Sequence, residues 1–171
     1  MHVRETIFSE DALPSVQHLD CGDSLAAELA VEWIKQGRAF RGALKSMEQH
    51  GTEVWLYWAD ANGEEHLIGF ASLGVTRVPI PLPDGQRQEV GFIPMLGVAR
   101  SFQSKFLGKG KKYSHWIMES IIEKAREREF RRLCLYVHKD NLAAQRLYEK
   151  FGFQYIAGEG AHGNRGMMRF V

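Results

Sequence analysis

The chain has 171 residues and a mass of 19.5 kDa, the size of one ordinary domain, and its 44 % hydrophobic content excludes intrinsic disorder. With 22 basic and 21 acidic residues, the net charge is +1. This charge argues against DNA binding through overall electrostatic attraction, and it leaves binding through a local basic patch as an alternative. The two cysteines, Cys21 and Cys134, form no metal-binding or redox motif, and no apolar run is long enough to span a membrane. We expect one soluble, cytoplasmic domain over residues 1–171, without a metal site.

The first half of the chain is helical at first and then changes to the two-residue period of strands. The elements expected there are, in chain order, a short strand near Val16–Leu19, helices over about Leu25–Gln36 and Arg38–His50, strands over Glu53–Asp60 and His66–Val78, and a loop over Pro79–Gly85. Asn62-Gly63, between the two strands, is typical of a tight hairpin turn with positive φ.

The second half alternates strands and helices. The elements expected there are a strand over Gln88–Arg100 interrupted by Pro94 and Gly97, a basic connection over Arg100–Lys112, a helix over about Lys111–Phe130, a strand over Arg131–His138, a helix from Asn141 to Gly152, strands over Gln154–Ala157 and Met167–Val171, and a loop over Gly158–Gly166 between them. Strands and helices do not alternate throughout the chain, which excludes a doubly wound nucleotide fold. We predict an α/β (α+β) fold with a mixed, mostly antiparallel sheet of about six to seven strands and about four helices.

The segment Lys105-Phe-Leu-Gly108-Lys-Gly110-Lys-Lys112 combines glycines with basic residues between a strand and a helix. Glycine lets the backbone approach a ligand closely, and the free N–H groups of a first helical turn can hold an anion. The lysines, together with Arg100, suit a polyphosphate. On spacing alone a solvated turn is the more common explanation, because a lone G-x-G is a weak motif, and the spacing of a P-loop is absent.

A second motif occurs in the segment Asn141–Phe153, which meets every fixed position of N-x-x-A-x-x-x-Y-x-x-x-G-F. This segment resembles the fifth strand and fourth helix of the GCN5-related N-acetyltransferase (GNAT) superfamily, and the resemblance covers about residues 53–171. The family's [RQ]-x-x-G-x-[GA] loop is matched as Lys105-x-x-Gly108-x-Gly110. Lysine replaces the usual Arg or Gln there, and the loop is about two residues longer than the common form. An ungapped alignment would place Gln103 first.

The resemblance implies acetyl-CoA as the cofactor. Its contacts would come from the backbone of the fourth strand, from the basic loop and from an asparagine: Leu96, Gly97, Val98, Lys105, Phe106, Leu107, Gly108, Lys109, Gly110, Lys111 and Asn141. A disturbance at Gly97 would open a V between the fourth and fifth strands. Asn141 has a plain helix N-cap as its alternative role.

The resemblance also implies the catalytic groups. Tyr148 is the expected acid that protonates the leaving thiolate, with simple helix packing as the alternative. Glu89 is a candidate general base, acting directly or through water, with a solvated strand end as the alternative. The expected reaction is N-acetylation of a primary amine on a small molecule, a peptide or an aminoacyl group. The amine would attack directly, and a backbone N–H of the fourth strand would stabilise the oxyanion.

Other functions stay open at this point. The segment His18–Asp23 resembles the F-D-C-G stretch of toxin-type acetyltransferases that act on aminoacyl-tRNA, with Leu19 in place of Phe. A noncatalytic acyl-CoA-binding domain is a rival against which Tyr148 argues. A nucleic-acid-binding module using Arg100–Lys112 is opposed by the near-zero net charge, so we expect direct nucleic-acid binding only in a toxin-type enzyme. No membrane partner is expected, and a homodimer through the Trp-rich hairpin or the terminal strands is compatible with the sequence.

Overall fold

The computed structural model describes residues 2–21, 51–77, 89–159 and 163–171. Its strands and helices are β1 (Val3–Ile7), α1 (Leu13–Gln17), β2 (Glu53–Ala61), β3 (Glu64–Arg77), β4 (Glu89–Ile93), β5 (Leu96–Val98), β6 (Phe106–Gly108), β7 (Lys111–Lys112), α2 (Tyr113–Glu127), β8 (Arg132–His138), α3 (Leu142–Lys150), β9 (Gln154–Glu159) and β10 (Asn164–Phe170). The helices expected over 25–36 and 38–50 and the loop expected over 79–85 lie outside the described residues.

The strands form one large sheet in the order β1-β2-β3-β4-β8-β10-β9, and β5 also pairs with β3. β4 and β5 follow each other along β3, so they are two parts of one strand interrupted at Pro94 and Met95. The pairing of β4 with β8 is parallel, and the other pairs of this sheet are antiparallel. The predicted mixed, mostly antiparallel sheet is therefore confirmed.

The predicted hairpin of β2 and β3 is also confirmed. Asn62 and Gly63 have φ angles of 55° and 81°, as a two-residue turn of type I′ requires. The strands pair from Ala61 opposite Glu64 to Glu53 opposite Leu73, with one irregularity between Tyr57 and Trp58. β3, one strand of this long ladder, also pairs with β5 and so fixes its position.

Helix α2 packs its apolar face against the sheet. The helical spacing of Tyr113, Ile117, Ile121 and Ala125 predicts one buried face, and all four are buried, Ile117 and Ile121 with no exposed surface. Trp116 is only partly buried, and its ring lies edge to face with that of Tyr57 at 5.3 Å. A hydrogen bond of 3.0 Å joins the Tyr57 hydroxyl to Ser120 Oγ across this interface, so a buried polar contact fixes the helix over β2.

One prediction for the N-terminal segment is wrong, and one strand there was not predicted. Val16 belongs to helix α1 rather than to a strand. The strand was predicted from only four residues, which are too few to show a sequence period. An additional strand, Val3–Ile7, pairs with β2 at the edge of the sheet. Its residues are all partly buried or exposed, so the apolar alternation that would reveal a strand is weak there.

The predicted loop over Gly158–Gly166 is too long. Gly158 and Glu159 belong to β9, and Asn164–Gly166 belongs to β10, which begins three residues earlier than expected. A Cβ on Gly166 would lie 3.4 Å from Ile156 Cδ1 and 3.5 Å from Tyr136 Cε1. Gly166 is therefore a strand residue with neighbours at van der Waals distance. The glycine content of this segment alone wrongly suggests a loop.

Alanine at Gly69 should destabilise the sheet strongly. A Cβ there would lie 2.4 Å from the carbonyl oxygen of Gly97 and 2.8 Å from Ile117 Cδ1, so the backbones of β3 and β5 would have to separate. We expect a loss of about 3 kcal/mol in the free energy of unfolding, measured with denaturant. Gly166→Ala, with its nearest contact at 3.4 Å, is the matched control and should cost less than about 1 kcal/mol. Equal losses would contradict this account of Gly69.

Candidate active site

The parallel ladder between β4 and β8 ends at Ile93 opposite Leu135. Pro94 follows, and proline has no N–H with which to continue a ladder. Beyond this point β5 stays on β3, whereas β8 stays on β10 as far as His138 opposite Asn164. The two strands therefore separate toward their carboxyl ends, and we call the space between β5 and residues 136–138 the wedge. The opening begins at Pro94, three residues before the predicted disturbance at Gly97.

The backbone of β5 presents hydrogen-bonding groups to the wedge. The Ala99 N–H donates to the Ile68 carbonyl at 2.7 Å, and the Ser72 N–H donates to the Met95 carbonyl at 2.9 Å. In an antiparallel pair, residues alternate in the side to which their N–H and C=O point. Gly97 therefore also points toward β3, and Leu96 and Val98 point toward the wedge. Of the three predicted backbone contacts, these two have the orientation to bind a ligand.

The side chain of Gln103 binds the last backbone carbonyl of β5. Its side-chain amide donates to the carbonyl of Val98 at 2.9 Å and to that of Cys21 at 2.8 Å. The Arg100 N–H donates to the Asp20 carbonyl at 2.6 Å beside it. The residue that an ungapped alignment places first in the loop thus ties the segment after α1 to β5.

The predicted glycine-lysine loop is a separate two-stranded hairpin, β6 and β7 with their turn (Phe106–Lys112), which we call the basic hairpin. Phe106 lies opposite Lys112, and Lys109 and Gly110 adopt positive φ angles of 49° and 73° in the turn. Lys111 forms an ion pair with Glu119. Because the hairpin is complete before α2 begins, Gly108 and Gly110 shape a turn and do not form the first turn of the helix.

Helix α2 begins at Tyr113, two residues later than predicted, and no side chain caps it. The N–H groups of Ser114 and His115 fall in the first turn, where helix geometry provides no carbonyl partner. Burial lowers the pKa of His115, and the positive charge of Lys150 lowers it further, so this imidazole is neutral at neutral pH. The sequence alone did not identify Ser114 and His115 as anion-binding candidates, because the first residue of the helix decides which backbone N–H groups are free.

Helix α3 begins beside the open end of β8, four residues after that strand ends. Asn141 caps it, because its Oδ1 accepts a hydrogen bond from the Ala144 N–H at 3.2 Å. The N-cap that stood as the alternative role for Asn141 is therefore present, and the side-chain amide keeps its two N–H donors for another contact.

Tyr148 lies on the buried face of α3 and is 9 % exposed. Its ring contacts Phe153 edge to face at 6.0 Å, and its hydroxyl has no hydrogen-bond partner among the described residues. Burial raises the pKa of Tyr148 to about 12. The phenol is therefore protonated at neutral pH, and its donor is available.

Glu89 is the first residue of β4 and lies opposite Arg77. It precedes Ile93 by four residues, which places its backbone about 13 Å along the strand from the opening of the wedge. The structure thus does not bring Glu89 to the residues that border the wedge.

No helix among the described residues has the length and apolar character needed to cross a membrane.

The chain belongs to the acetyltransferase (GNAT) family, whose model matches residues 23–153. Similar solved structures include PaiA N-acetyltransferase from Thermoplasma acidophilum in complex with coenzyme A, with 15 % identity, a TM-score of 0.67 and full coverage of both chains. Ribosomal-protein-alanine N-acetyltransferase from Brucella melitensis has 20 % identity, a TM-score of 0.61 and full coverage of both chains. A mutant of the AtaT toxin bound to the antitoxin AtaR and acetyl-CoA has 13 % identity and a TM-score of 0.62, over 98 % of this chain and 92 % of that one. These similarities establish the fold, and no curated protein matches the chain.

Proposed function

We propose that this protein is an acetyl-CoA-dependent N-acetyltransferase that transfers an acetyl group to a primary amine by direct attack. The observation that carries the proposal is the wedge, bordered by the backbone groups of Leu96 and Val98 on one side and by the end of β8, after which α3 begins, on the other. Membership of the GNAT family supports the reaction class. Neighbours in complex with coenzyme A or acetyl-CoA support the choice of cosubstrate.

The groups around the wedge fit the chemistry of acetyl-CoA, which supplies an acetyl group activated as a thioester. Leu96 and Val98 would bind the amides of its pantetheine arm in the manner of an added strand. The first-turn N–H groups of Ser114 and His115, with the positive charge of the basic hairpin, would hold the pyrophosphate. Asn141 would add a contact through its free amide donors. In this proposal Lys105 is one peripheral charge among several.

Tyr148 would serve as the donor to the thioester sulfur. The pKa of an ordinary thiol is about 8.5, and burial raises that of Tyr148 to about 12, so complete transfer of its proton to a thiolate is uphill. The phenol therefore contributes mainly a hydrogen bond that strengthens as negative charge develops on the sulfur. A backbone N–H of Leu96 or Val98 would stabilise the charge that develops on the carbonyl oxygen. Glu89 could accept the proton of the amine only through water, because of its distance from the wedge.

A toxin-type acceptor, the aminoacyl group of a charged tRNA, is a second candidate. The segment before Gly22 that resembles the toxin stretch is held against β5, where Cys21 and Asp20 accept hydrogen bonds from Gln103 and Arg100. Leu19 and Cys21 are both buried there. This segment therefore lies beside the strand that would hold the thioester. The similarity to the AtaT toxin structure is compatible with this acceptor.

The proposal is tested by thiol release from acetyl-CoA in the presence of small amines, peptide N-termini and aminoacyl-tRNA. We expect amine-dependent release with one of these classes. Acetyl-CoA should also raise the thermal midpoint by mass action, and NADH and ATP should raise it much less. The absence of a shift at millimolar acetyl-CoA, with a clear shift for NADH, would overturn the proposal.

Strain in the turn of the basic hairpin should weaken coenzyme A binding. Gly110→Ala places a side chain at a φ of +73° with no atom within 4 Å of its Cβ, and Gly152→Ala does the same at +82°. Both should lose about 1–2 kcal/mol of stability from the left-handed conformation. Only the first lies next to the N-terminus of α2, so only that variant should lose affinity, by roughly tenfold in a calorimetric titration with coenzyme A. Equal affinities in the two variants would separate the hairpin from the binding site.

Tyr148→Phe should lower kcat by roughly 10²- to 10³-fold, because the ring stays in place and only the donor is lost. Acetyl-CoA affinity and the thermal midpoint should change little. Tyr57→Phe is the control, since the Tyr57 hydroxyl bonds Ser120 between β2 and α2, away from the wedge, and it should keep normal kcat per folded enzyme. Normal turnover in Tyr148→Phe would remove this residue from the mechanism.

A further inference from the structure

Gln145 is a buried polar residue on α3, 8 % exposed, that the proposed mechanism does not use. Its side-chain nitrogen donates two hydrogen bonds, to the carbonyls of His138 at 3.0 Å and Lys139 at 2.8 Å. Its carbonyl oxygen accepts one from the Tyr155 hydroxyl at 2.8 Å. Both N–H donors and the oxygen are thus satisfied within the protein, so Gln145 is a junction between elements and has no donor left for a ligand.

The junction joins three elements at the open end of the sheet. His138 is the last residue of β8, at the side of the wedge where β8 no longer has β4 as a paired neighbour. Tyr155 belongs to β9, so the same side chain also holds α3 to the far edge of the sheet. The carbonyl of His138 accepts a second hydrogen bond, from the Asn141 N–H at 2.9 Å. The position of α3 relative to the wedge therefore depends on the side chain of Gln145.

Tyr148 follows Gln145 by three residues and lies on the same face of the helix. The Tyr148 hydroxyl has no hydrogen bond of its own among the described residues, so nothing polar holds it directly. Its location is set by the helix that carries it, and hence by the hydrogen bonds of Gln145. We propose that Gln145 is a positioning residue for Tyr148: it fixes the distance between the phenol and the wedge by binding the end of β8. This inference rests on the proposed acetyltransferase function.

The inference predicts a loss in the chemical step. A displacement of about 1 Å in a reacting group can cost roughly 10²-fold in rate. Gln145→Met keeps the length and most of the volume of the side chain but removes all three hydrogen bonds. We expect a decrease of roughly 10- to 100-fold in kcat per folded enzyme, with the KM for acetyl-CoA changed by less than about threefold. A decrease in stability is also expected, because two carbonyls and a hydroxyl lose their partner.

Two further variants separate the hydrogen bonds. Gln145→Glu has the same shape and keeps an acceptor for Tyr155, but it cannot donate to the two carbonyls, so its kcat should fall as in Gln145→Met. Tyr155→Phe leaves both donations to β8 intact and should lower kcat by less than about fivefold. If Gln145→Met does not fold, Gln145→Glu takes its place in the test.

The deciding measurement is a double-mutant cycle on kcat with Tyr148→Phe. If Gln145 acts through Tyr148, its substitution should lower kcat by less than about threefold once the phenol hydroxyl is absent. A merely structural role would reduce the folded fraction in both backgrounds and leave kcat per folded enzyme unchanged. Multiplicative losses of kcat, or an unchanged kcat in Gln145→Met or Gln145→Glu, would overturn the inference.

The proposed function is judged separately. Absence of amine-dependent thiol release in the wild-type protein would reject the acetyltransferase itself, and normal turnover in Tyr148→Phe would reject only the role of the phenol. Wild-type turnover and a loss in Tyr148→Phe, combined with independent effects of Gln145, would reject only the positioning role.

Discussion

Pro94 offers no N–H to β8, and the parallel ladder ends at the residue before it. Each strand then keeps its other partner: β5 remains on β3, and β8 remains on β10. The shared ladder ends while the two outer ladders continue, which creates the wedge at little cost, because the groups of β5 left without a strand partner are only those of Leu96 and Val98. α3 begins just after the open end of β8, so its N-terminus lies beside the wedge. The basic hairpin connects β5 to the N-terminus of α2.

The protein satisfies some polar groups at this end of the sheet and leaves others open. The carbonyls of Val98 and His138 are bound by the side-chain amides of Gln103 and Gln145. The N–H groups of Ser114 and His115 in the first turn of α2 and the hydroxyl of Tyr148 have no such partner among the described residues. These open donors suit a ligand with phosphate and carbonyl oxygens. The proposed cosubstrate has both.

The sequence predicted best where structure is local. The turn at Asn62 and Gly63 and the cap at Asn141 both depend on conformations that few residue types adopt, so a short motif was sufficient. The fold class followed from the order of the elements and from the Asn141–Phe153 pattern. The buried face of α2 followed from helical periodicity.

Prediction failed where specific partners in other elements decide the structure. The start of α2 at Tyr113 depends on the pairing of Phe106 with Lys112, and glycine spacing does not contain that information. The wedge opens where Pro94 ends the ladder between β4 and β8, so the glycine of β5 was a misleading signal. Gln145 could not be recognised, because its three hydrogen-bond partners belong to β8, the turn after it and β9. The assignment of site residues to ligand contacts stays a prediction.

The parallel ladder between β4 and β8 is only three residue pairs long, and it joins the two halves of the sheet. Each half is itself built largely from antiparallel strands close in sequence, such as β2 with β3 and β9 with β10. Gly91 and Leu133 are 42 positions apart, so their pairing requires the closure of a long loop before any contact compensates for the lost chain entropy. The pairing of β1 with β2 spans 48 to 56 positions and carries the same kind of cost. The hairpins β2–β3 and β9–β10 can therefore gain order before the ladder between β4 and β8. The site needs that ladder, since its two bordering strands belong to different halves.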